Sequence, residues 1–160
     1  MATTGICASF KGEGYNGTGH NLSSSGGDTI KAVLIKVSPA RTFDYTQTNG
    51  GTPGTGTPSA TNIGTDEASG TGYTSGGNTL TNNGVTITGT GAYADFAGYS
   101  LTSATISVTA LVLINSSSKN STTNRAISVH DFGGTQTVTS GTLSIVFPTA
   151  ALATAILRFN

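Results

Sequence analysis

The chain has 160 residues, of which only 9 % are charged, and 7 Lys and Arg residues balance 7 Asp and Glu residues. This length predicts one domain, and the lack of clustered basic residues argues against binding to nucleic acid. Hydrophobic residues make up 35 % and there are 23 glycines, so the composition, rich in Gly and Thr, predicts short strands joined by tight turns.

The N-terminal segment has little apolar surface, and its large apolar residues are Ile6, Phe10, Tyr15 and Leu22. A short strand is predicted at ICASF, and the remainder is typical of a loop. Because such a segment cannot bury a core of its own, residues 1–27 are predicted to form an extended N-terminal arm. Cys7, the only cysteine, is predicted to be a small half-buried apolar residue.

Two segments of opposite character follow. DTIKAVLIKV, residues 28–37, alternates imperfectly and carries lysines near its ends, which is typical of a mostly buried strand. Pro39 ends this strand because it cannot donate to a β-ladder. Residues 46–61 contain Gly, Pro and Thr and no large apolar residue, so they are predicted to form a long exposed loop.

The stretch ASGTGYTSGGNTLTNNGVTITGTG, residues 68–91, resembles a linker in composition but is predicted to be folded. Tyr73 and Leu80 are two apolar anchors, and Gly76, Gly77 and Asn78 form a turn signal between them. A linker would not carry residues that favour burial at both ends of a turn. Glu67, which precedes this stretch and is one of the few acidic residues, is predicted to have a specific partner.

The clearest alternation lies in ATISVTALVLIN, residues 104–115, where small and branched apolar residues recur at every second position. Leu111 and Leu113 lie on the opposite face, so that end of the strand is predicted to be covered on both sides. The predicted core face consists of Ala104, Ile106, Val108, Ala110, Val112 and Ile114.

The rest of the chain continues the same pattern. VTIT (85–88) and AYADFAGYS (92–100) are predicted strands before the central one, and RAISVHDF (125–132), TLSIVFP (142–148) and TAILRFN (154–160) are predicted strands after it. Polar turns are predicted at 116–124 and in GGTQTVTSG, and a helical turn is predicted only at 150–155. The fold class is therefore all-β, an antiparallel β-sandwich of the jelly-roll or immunoglobulin type with at least seven strands. Residues 28–160 are its domain.

No motif predicts catalysis, a cofactor or a metal. His130 and Asp131 are adjacent in a strand, so their side chains point to opposite faces and cannot form a triad hydrogen bond. His20 and His130 lack the spacing of metal ligands, and the glycine-rich stretch lacks the lysine and the helix of a phosphate loop. A calcium site with Asp66, Glu67 and Asp95 as ligands is a further alternative, but the sequence does not show that these residues converge.

Five segments in a fixed order resemble the small virion structural proteins of tailed bacteriophages: DTIKAVLIKV, DEASGTGYTSGGNTL, ATISVTALVLIN, RAISVHDFGG and GTLSIVFP. The family shares a core of the form E-x-S/T-G-T-G-Y-x-x-G-G-x-x-L, and the resemblance covers about residues 28 to 160. A tryptophan that commonly precedes the strand at Ala104 is absent here, and Tyr99 is nearest to its place.

The resemblance implies a structural protein of the virion, of a class that decorates or cements the capsid or occurs elsewhere on the particle. The function expected here is decoration of the capsid surface, without enzymatic activity. Its expected partners are the major capsid protein and neighbouring copies of itself, as a homo-oligomer on the particle. Neither nucleic acid nor a membrane is an expected partner. The basic residues are not clustered, and no run of 18 apolar residues is present. The predicted shell contacts are Phe10, Tyr15, Asn49, Thr52 and Thr57.

A second function remains open beside this one. A receptor-binding or carbohydrate-binding β-module of a phage fibre or tail could stack sugars on Tyr15, Tyr93 and Tyr99. A polysaccharide hydrolase is less well supported, because it needs two carboxylates about 5 to 9.5 Å apart and the acidic residues are scattered over the chain.

Overall fold

The computed structural model describes residues 2–40, 42–45, 63–119 and 123–159. Within them it is mostly antiparallel β-structure with one helix, so the all-β prediction, with at least seven strands, is confirmed. The elements in chain order are β1 (Ala2–Thr3), β2 (Gly5–Ile6), α1 (Ala8–Tyr15), β3 (Ile30–Lys36), β4 (Phe43–Asp44), a 3-10 turn (Gly64–Asp66), β5 (Asn78–Thr79), β6 (Asn82–Thr88), β7 (Gly91–Phe96), β8 (Tyr99–Asn115), β9 (Arg125–Ile145) and β10 (Leu157–Phe159).

Two antiparallel sheets build a sandwich-like domain. The larger has five strands in the order β2-β9-β8-β3-β5, and the smaller has three in the order β10-β7-β6. A short parallel pair joins β1 to β4. Phe96 and Leu157 of the small sheet belong to the same buried cluster as Leu101 and Ile145 of the large one, so the two sheets share one core.

The predicted core face of β8 is confirmed. All six of its residues are buried, and Leu111 and Leu113 on the opposite face are buried as well. β8 is a central strand of the large sheet, between β3 and β9. Both of its faces are covered from residue 110 onwards, so apolar residues no longer alternate with polar ones there. The prediction of burial on both sides is therefore also confirmed.

The C-terminal half differs from the prediction of separate short strands. β9 runs without interruption from Arg125 to Ile145 and pairs with β8 over most of that length. The pairing register shifts at several points along β8, and positive φ angles occur at Gly133 (75°) and Ser140 (49°). The Gly and Ser signals interpreted as turns thus accompany bulges, which bend a strand and keep it in the sheet.

The N-terminal segment is not extended. Residues 8–15 form α1, β2 pairs with β9, and both Cys7 and Phe10 lie in the core. The N–H of Cys7 donates to the carbonyl of Ile127 at 2.8 Å. The described part of the predicted arm therefore packs on the sheet, although a domain boundary at residue 27 stays a prediction.

The helical content was also predicted incorrectly. A single turn does form near residues 151–155, where the N–H of Ala155 donates to the carbonyl of Ala151 at 2.7 Å. It is accompanied by α1, whose sequence ASFKGEGY has two glycines and no apolar period. Such a sequence has low intrinsic helix propensity, so tertiary contacts of Phe10 and Glu13 stabilise the helix.

The segment after the 3-10 turn forms single bridges with β3 and β8 of the large sheet, and it confirms the anchors predicted for it. Leu80 is buried, and Tyr73 packs against the core. The carboxylate of Glu67 accepts hydrogen bonds from the Tyr73 hydroxyl at 2.8 Å, from the Gly76 N–H at 2.6 Å and from the Ser75 hydroxyl at 3.1 Å. Glu67 thus has the specific partners predicted for it. Gly70 is required here because a Cβ would lie 2.3 Å from the carbonyl oxygen of Thr105.

In the part of the chain that the structure describes, no helix is long and apolar enough to cross a membrane. The predicted loop at residues 46–61 lies outside the described residues.

Candidate interaction surfaces

The predicted shell contacts fall into three groups. Tyr15, at the end of α1, is 95 % exposed and is free to meet a partner. Phe10 is buried, with its ring centroid 4.7 Å from that of His20, so the prediction that it contacts a partner is not supported by its position. The remaining three, Asn49, Thr52 and Thr57, lie outside the described residues.

A groove of about 530 Å³ separates α1 from the end of β10. Its walls carry the aromatic side chains of Tyr15 and Phe159, of which Phe159 is half exposed, together with the polar groups of Lys11 and His20. One side of the groove is formed by glycines of α1 and of the following loop, which have no side chains to fill it. The full lining is Phe10, Lys11, Gly14, Tyr15, Gly17, Gly19, His20 and Phe159.

Buried charges lie directly behind this groove. The carboxylate of Glu13 accepts hydrogen bonds from Arg125 Nη1 at 2.5 Å and from His20 Nε2 at 2.6 Å. The amide Nδ2 of Asn115 lies 2.9 Å from His20 Nδ1. Because an amide nitrogen only donates, His20 accepts at Nδ1 and carries its proton at Nε2, where it donates to Glu13.

The same cluster extends to Asp28. Asn115 Nδ2 also donates to Asp28 at 2.7 Å, and Lys119 Nζ is 2.8 Å from the other carboxylate oxygen. Burial by itself raises the pKa of Asp28, but its hydrogen bonds with Lys119, Asn21 and Asn115 outweigh that effect and hold the pKa below its usual value. Each acid of this cluster is paired, so the cluster joins α1 to β8 and β9 and holds no free catalytic group.

Glu13→Gln is expected to lower the free energy of unfolding by about 3 kcal/mol, because it leaves the buried guanidinium of Arg125 without its carboxylate. Combined replacement, Glu13→Gln with Arg125→Met, removes both charges and is expected to recover part of that loss. Urea unfolding of the three proteins measures both effects. Equal stability of Glu13→Gln and the unchanged chain would contradict a structural role for the pair.

A second cavity of about 490 Å³ lies between β9 and the segment that follows it. Its apolar wall includes Phe132, Leu143 and Phe147, and its lining also contains the ionisable residues His130 and Asp131. His130 Nε2 lies 2.8 Å from the hydroxyl oxygen of Ser128, which is fully buried. A serine so enclosed cannot reach a substrate, so this pair does not form a nucleophilic site.

Asp131 does not assist His130. Its carboxylate accepts the N–H of Gly133 at 3.0 Å, which agrees with the prediction that these two neighbours do not bond to each other. Burial lowers the pKa of His130 from 6.5 to about 4, and the imidazole is therefore neutral at pH 7.

This burial predicts a pH dependence of stability. Above pH 6.5 His130 is neutral in both the folded and the unfolded chain, and below that pH only the unfolded chain takes up a proton until the folded pKa of about 4 is reached. The free energy of unfolding should fall by up to about 3 kcal/mol across this window. His130→Gln should flatten the dependence, measured by urea unfolding from pH 7 to pH 4. An unchanged slope would show that His130 titrates equally in both states.

The small sheet presents the third surface. Ile87 on β6 is 85 % exposed, and Val85 on the same strand is 49 % exposed. These apolar side chains have no cover among the described residues. Of the tyrosines predicted to bind sugars, Tyr93 on β7 is half-buried and the hydroxyl of Tyr99 is buried without a hydrogen-bond partner in the described chain.

Other chemistry finds no support in the described ranges. They contain no group of three or more His, Cys, Asp or Glu side chains placed to hold a metal ion. Asp66 of the alternative calcium site is fully buried, with Lys36 Nζ 3.2 Å from its carboxylate. Cys7 packs in the core as an apolar residue, as predicted, but it is fully and not half buried, and burial raises the pKa of its thiol to about 12.

Sequence reasoning missed α1 and the buried charges behind it. No local signal identified the pair, because Glu13 lies only two residues after Lys11 and its partner Arg125 is 112 positions away. Comparison with protein-family models, with curated proteins and with solved structures returned no match.

Proposed function

We propose that the chain is a structural protein of a bacteriophage particle, a capsid decoration or cement protein that binds between shell subunits and stabilises the head. The observation that carries this proposal is the set of exposed apolar side chains on a nearly uncharged β-domain. Tyr15 is 95 % exposed, Ile87 85 % and Val146 83 %. The sequence resemblance described above supports the same class of protein.

The mechanism is interfacial and not chemical. Burial of exposed apolar surface on a neighbouring subunit contributes about 25 cal/mol per Å², and a standard interface buries about 1,600 Å² in total. When many copies bind one lattice, avidity adds to each contact. The partners are the major capsid protein and neighbouring copies on the virion surface.

The carbohydrate-binding alternative is favoured by one observation, the groove between Tyr15 and Phe159. Two exposed aromatic rings with the exposed side chain of Lys11 beside them suit a sugar ring, which needs stacking and hydrogen bonds together. Its ligand would be a host surface glycan, and the protein would belong to a fibre or a tail.

Quantitative mass spectrometry of the purified particle tests the proposal. A cement protein should approach the copy number of the major capsid protein, whereas a fibre module should be present in few copies. Absence of the protein from particles would overturn the proposal.

A binding assay then separates the surfaces. Particles that lack the protein are mixed with the purified chain and sedimented, and Tyr15→Ser should lower the bound fraction while Thr74→Ala, an exposed polar control, should not. Inhibition of binding by soluble glycans instead would favour the alternative.

A further inference from the structure

The free edge of the small sheet is formed by β6. Thr88 pairs with Gly91 across a two-residue hairpin, and the register continues without a shift through Ile87, Thr86 and Val85 to Gly84. The pair that closes such a hairpin is hydrogen-bonded, and hydrogen-bonded pairs alternate along the ladder. Thr88 and Thr86 therefore bond to β7, and the N–H and C=O groups of Val85 and Ile87 point away from the sheet.

Those outward groups are open in the described chain. The start of β6 is covered, because Asn82 donates to the carbonyl of Ser23 at 3.3 Å. Beyond Gly84, the described residues place no strand and no backbone hydrogen bond on the outer side of β6. A regular strand edge with unpaired backbone groups is a template for another strand.

The β6 edge lacks the features that usually prevent pairing between chains. No charged residue and no proline occurs between Glu67 and Asp95. By contrast, β10 is only three residues long and contains Arg158. Along the outer edge of β9, beyond its short pairing with β2, positive φ angles occur at Gly133 and Ser140. Bulges of this kind twist an edge away from a partner.

We propose that β6 pairs antiparallel with β6 of a second copy of this chain, about a two-fold axis at Thr86. In that register Val85 lies opposite Ile87 of the second copy, and each such pair exchanges both of its outward backbone hydrogen bonds. The small sheets then join into one continuous sheet across the axis. This inference concerns the folded chain alone and does not depend on the proposed function.

The occupant is a second copy because the edge is complementary to itself. A two-fold axis at Thr86 brings the exposed Val85 and Ile87 side chains together on one face, and cross-strand pairs of β-branched residues stabilise a sheet. An axis at Ile87 would instead place Val85 opposite Gly89, with no side chain to meet. The formal net charge of zero leaves no long-range repulsion between copies.

The interface is small, so the dimer should be weak in solution and should grow with concentration. Sedimentation equilibrium from about 10 µM to about 1 mM is the first test. The average mass should rise from that of the 15.9 kDa chain towards that of a dimer and should stop there, because a two-fold interface is closed. A monomer at every concentration, or growth beyond the dimer, would overturn the proposal.

Charge placed on the edge tests its location. Ile87→Lys should abolish the dimer at an unchanged melting temperature, since Ile87 is exposed in the monomer. Thr74→Lys adds the same charge within the same uncharged stretch, away from β6, and should leave the dimer intact. A dimer that survives Ile87→Lys would place the interface elsewhere and overturn the proposal.

A cysteine pair tests the register. In the proposed dimer the two Thr86 residues form a non-hydrogen-bonded pair with Cβ atoms about 4.5–5.5 Å apart, within the range that a disulfide bridges after small adjustment. Thr86→Cys should give a disulfide-linked dimer on mild oxidation, and Thr88→Cys, opposite Gly84 of the second copy, should not. Cys7 is fully buried and does not compete. Equal cross-linking of the two variants would overturn the register.

Discussion

Deletion of residues 1–20 is expected to prevent folding of the chain. The deletion removes Cys7 and Phe10 from the core and takes β2 from the edge of β9. It also removes Glu13 and leaves the buried guanidinium of Arg125 without a carboxylate. Loss of a buried aromatic side chain costs about 3–5 kcal/mol, and loss of one partner of a buried pair costs about as much again.

The sum of these losses is comparable with the whole stability of a typical domain, about 5–15 kcal/mol. The truncated chain should therefore be insoluble or should lack a cooperative thermal transition, measured by circular dichroism. Deletion of residues 1–3 removes β1 with its short parallel pair to β4 and leaves Cys7, Phe10 and Glu13 in place, so it is the matched control and should keep the transition. A truncated chain that melts like the full one would show that the N-terminal segment is an independent arm.

Ile106→Asp is expected to abolish soluble expression. Ile106 is 4 % exposed. It packs so closely against Gly70 that a Cβ added to that glycine would lie 3.0 Å from the Cβ of Ile106. Removal of its side chain costs about 2–5 kcal/mol, and the new carboxylate is buried without a partner, which adds several kcal/mol more. The measurement is the soluble fraction and, if any protein is recovered, its melting temperature.

Thr102→Asp provides the control for this change, because Thr102 is exposed on the same strand. It introduces the same carboxylate and should keep both yield and melting temperature close to those of the unchanged chain. Normal behaviour of Ile106→Asp would show that this face of β8 is open to solvent.

Local pattern was sufficient for the central part of the fold. Alternation in residues 104–115 predicted the buried face of β8, because side chains in a strand alternate between its faces. Tyr73 and Leu80 were recognised as anchors because apolar residues on both sides of a turn favour burial. Glu67 was expected to have a partner because it is a rare charge beside a glycine-rich turn.

The candidate surfaces were predictable only in part. Tyr15 was correctly placed at the surface, but Phe10 was assigned there too because both lie in a segment of low apolar content. The exposure of Val85 and Ile87 was not foreseen, since alternating apolar residues predict a buried face. Whether such a face is covered depends on how far the opposing sheet extends, and the strand itself does not encode that.

By itself, then, the sequence determined the all-β class, the core strand β8 and the turn-flanked segment at residues 68–80, because these depend on periodicities of a few residues. Only the tertiary structure decided the form of α1 and the role of Glu13 and Arg125. These two residues meet across a separation of 112 positions, and the helix that carries Glu13 has little propensity of its own. It forms because the core accepts Phe10 and β9 supplies a cation, and contacts that distant in sequence leave no local pattern.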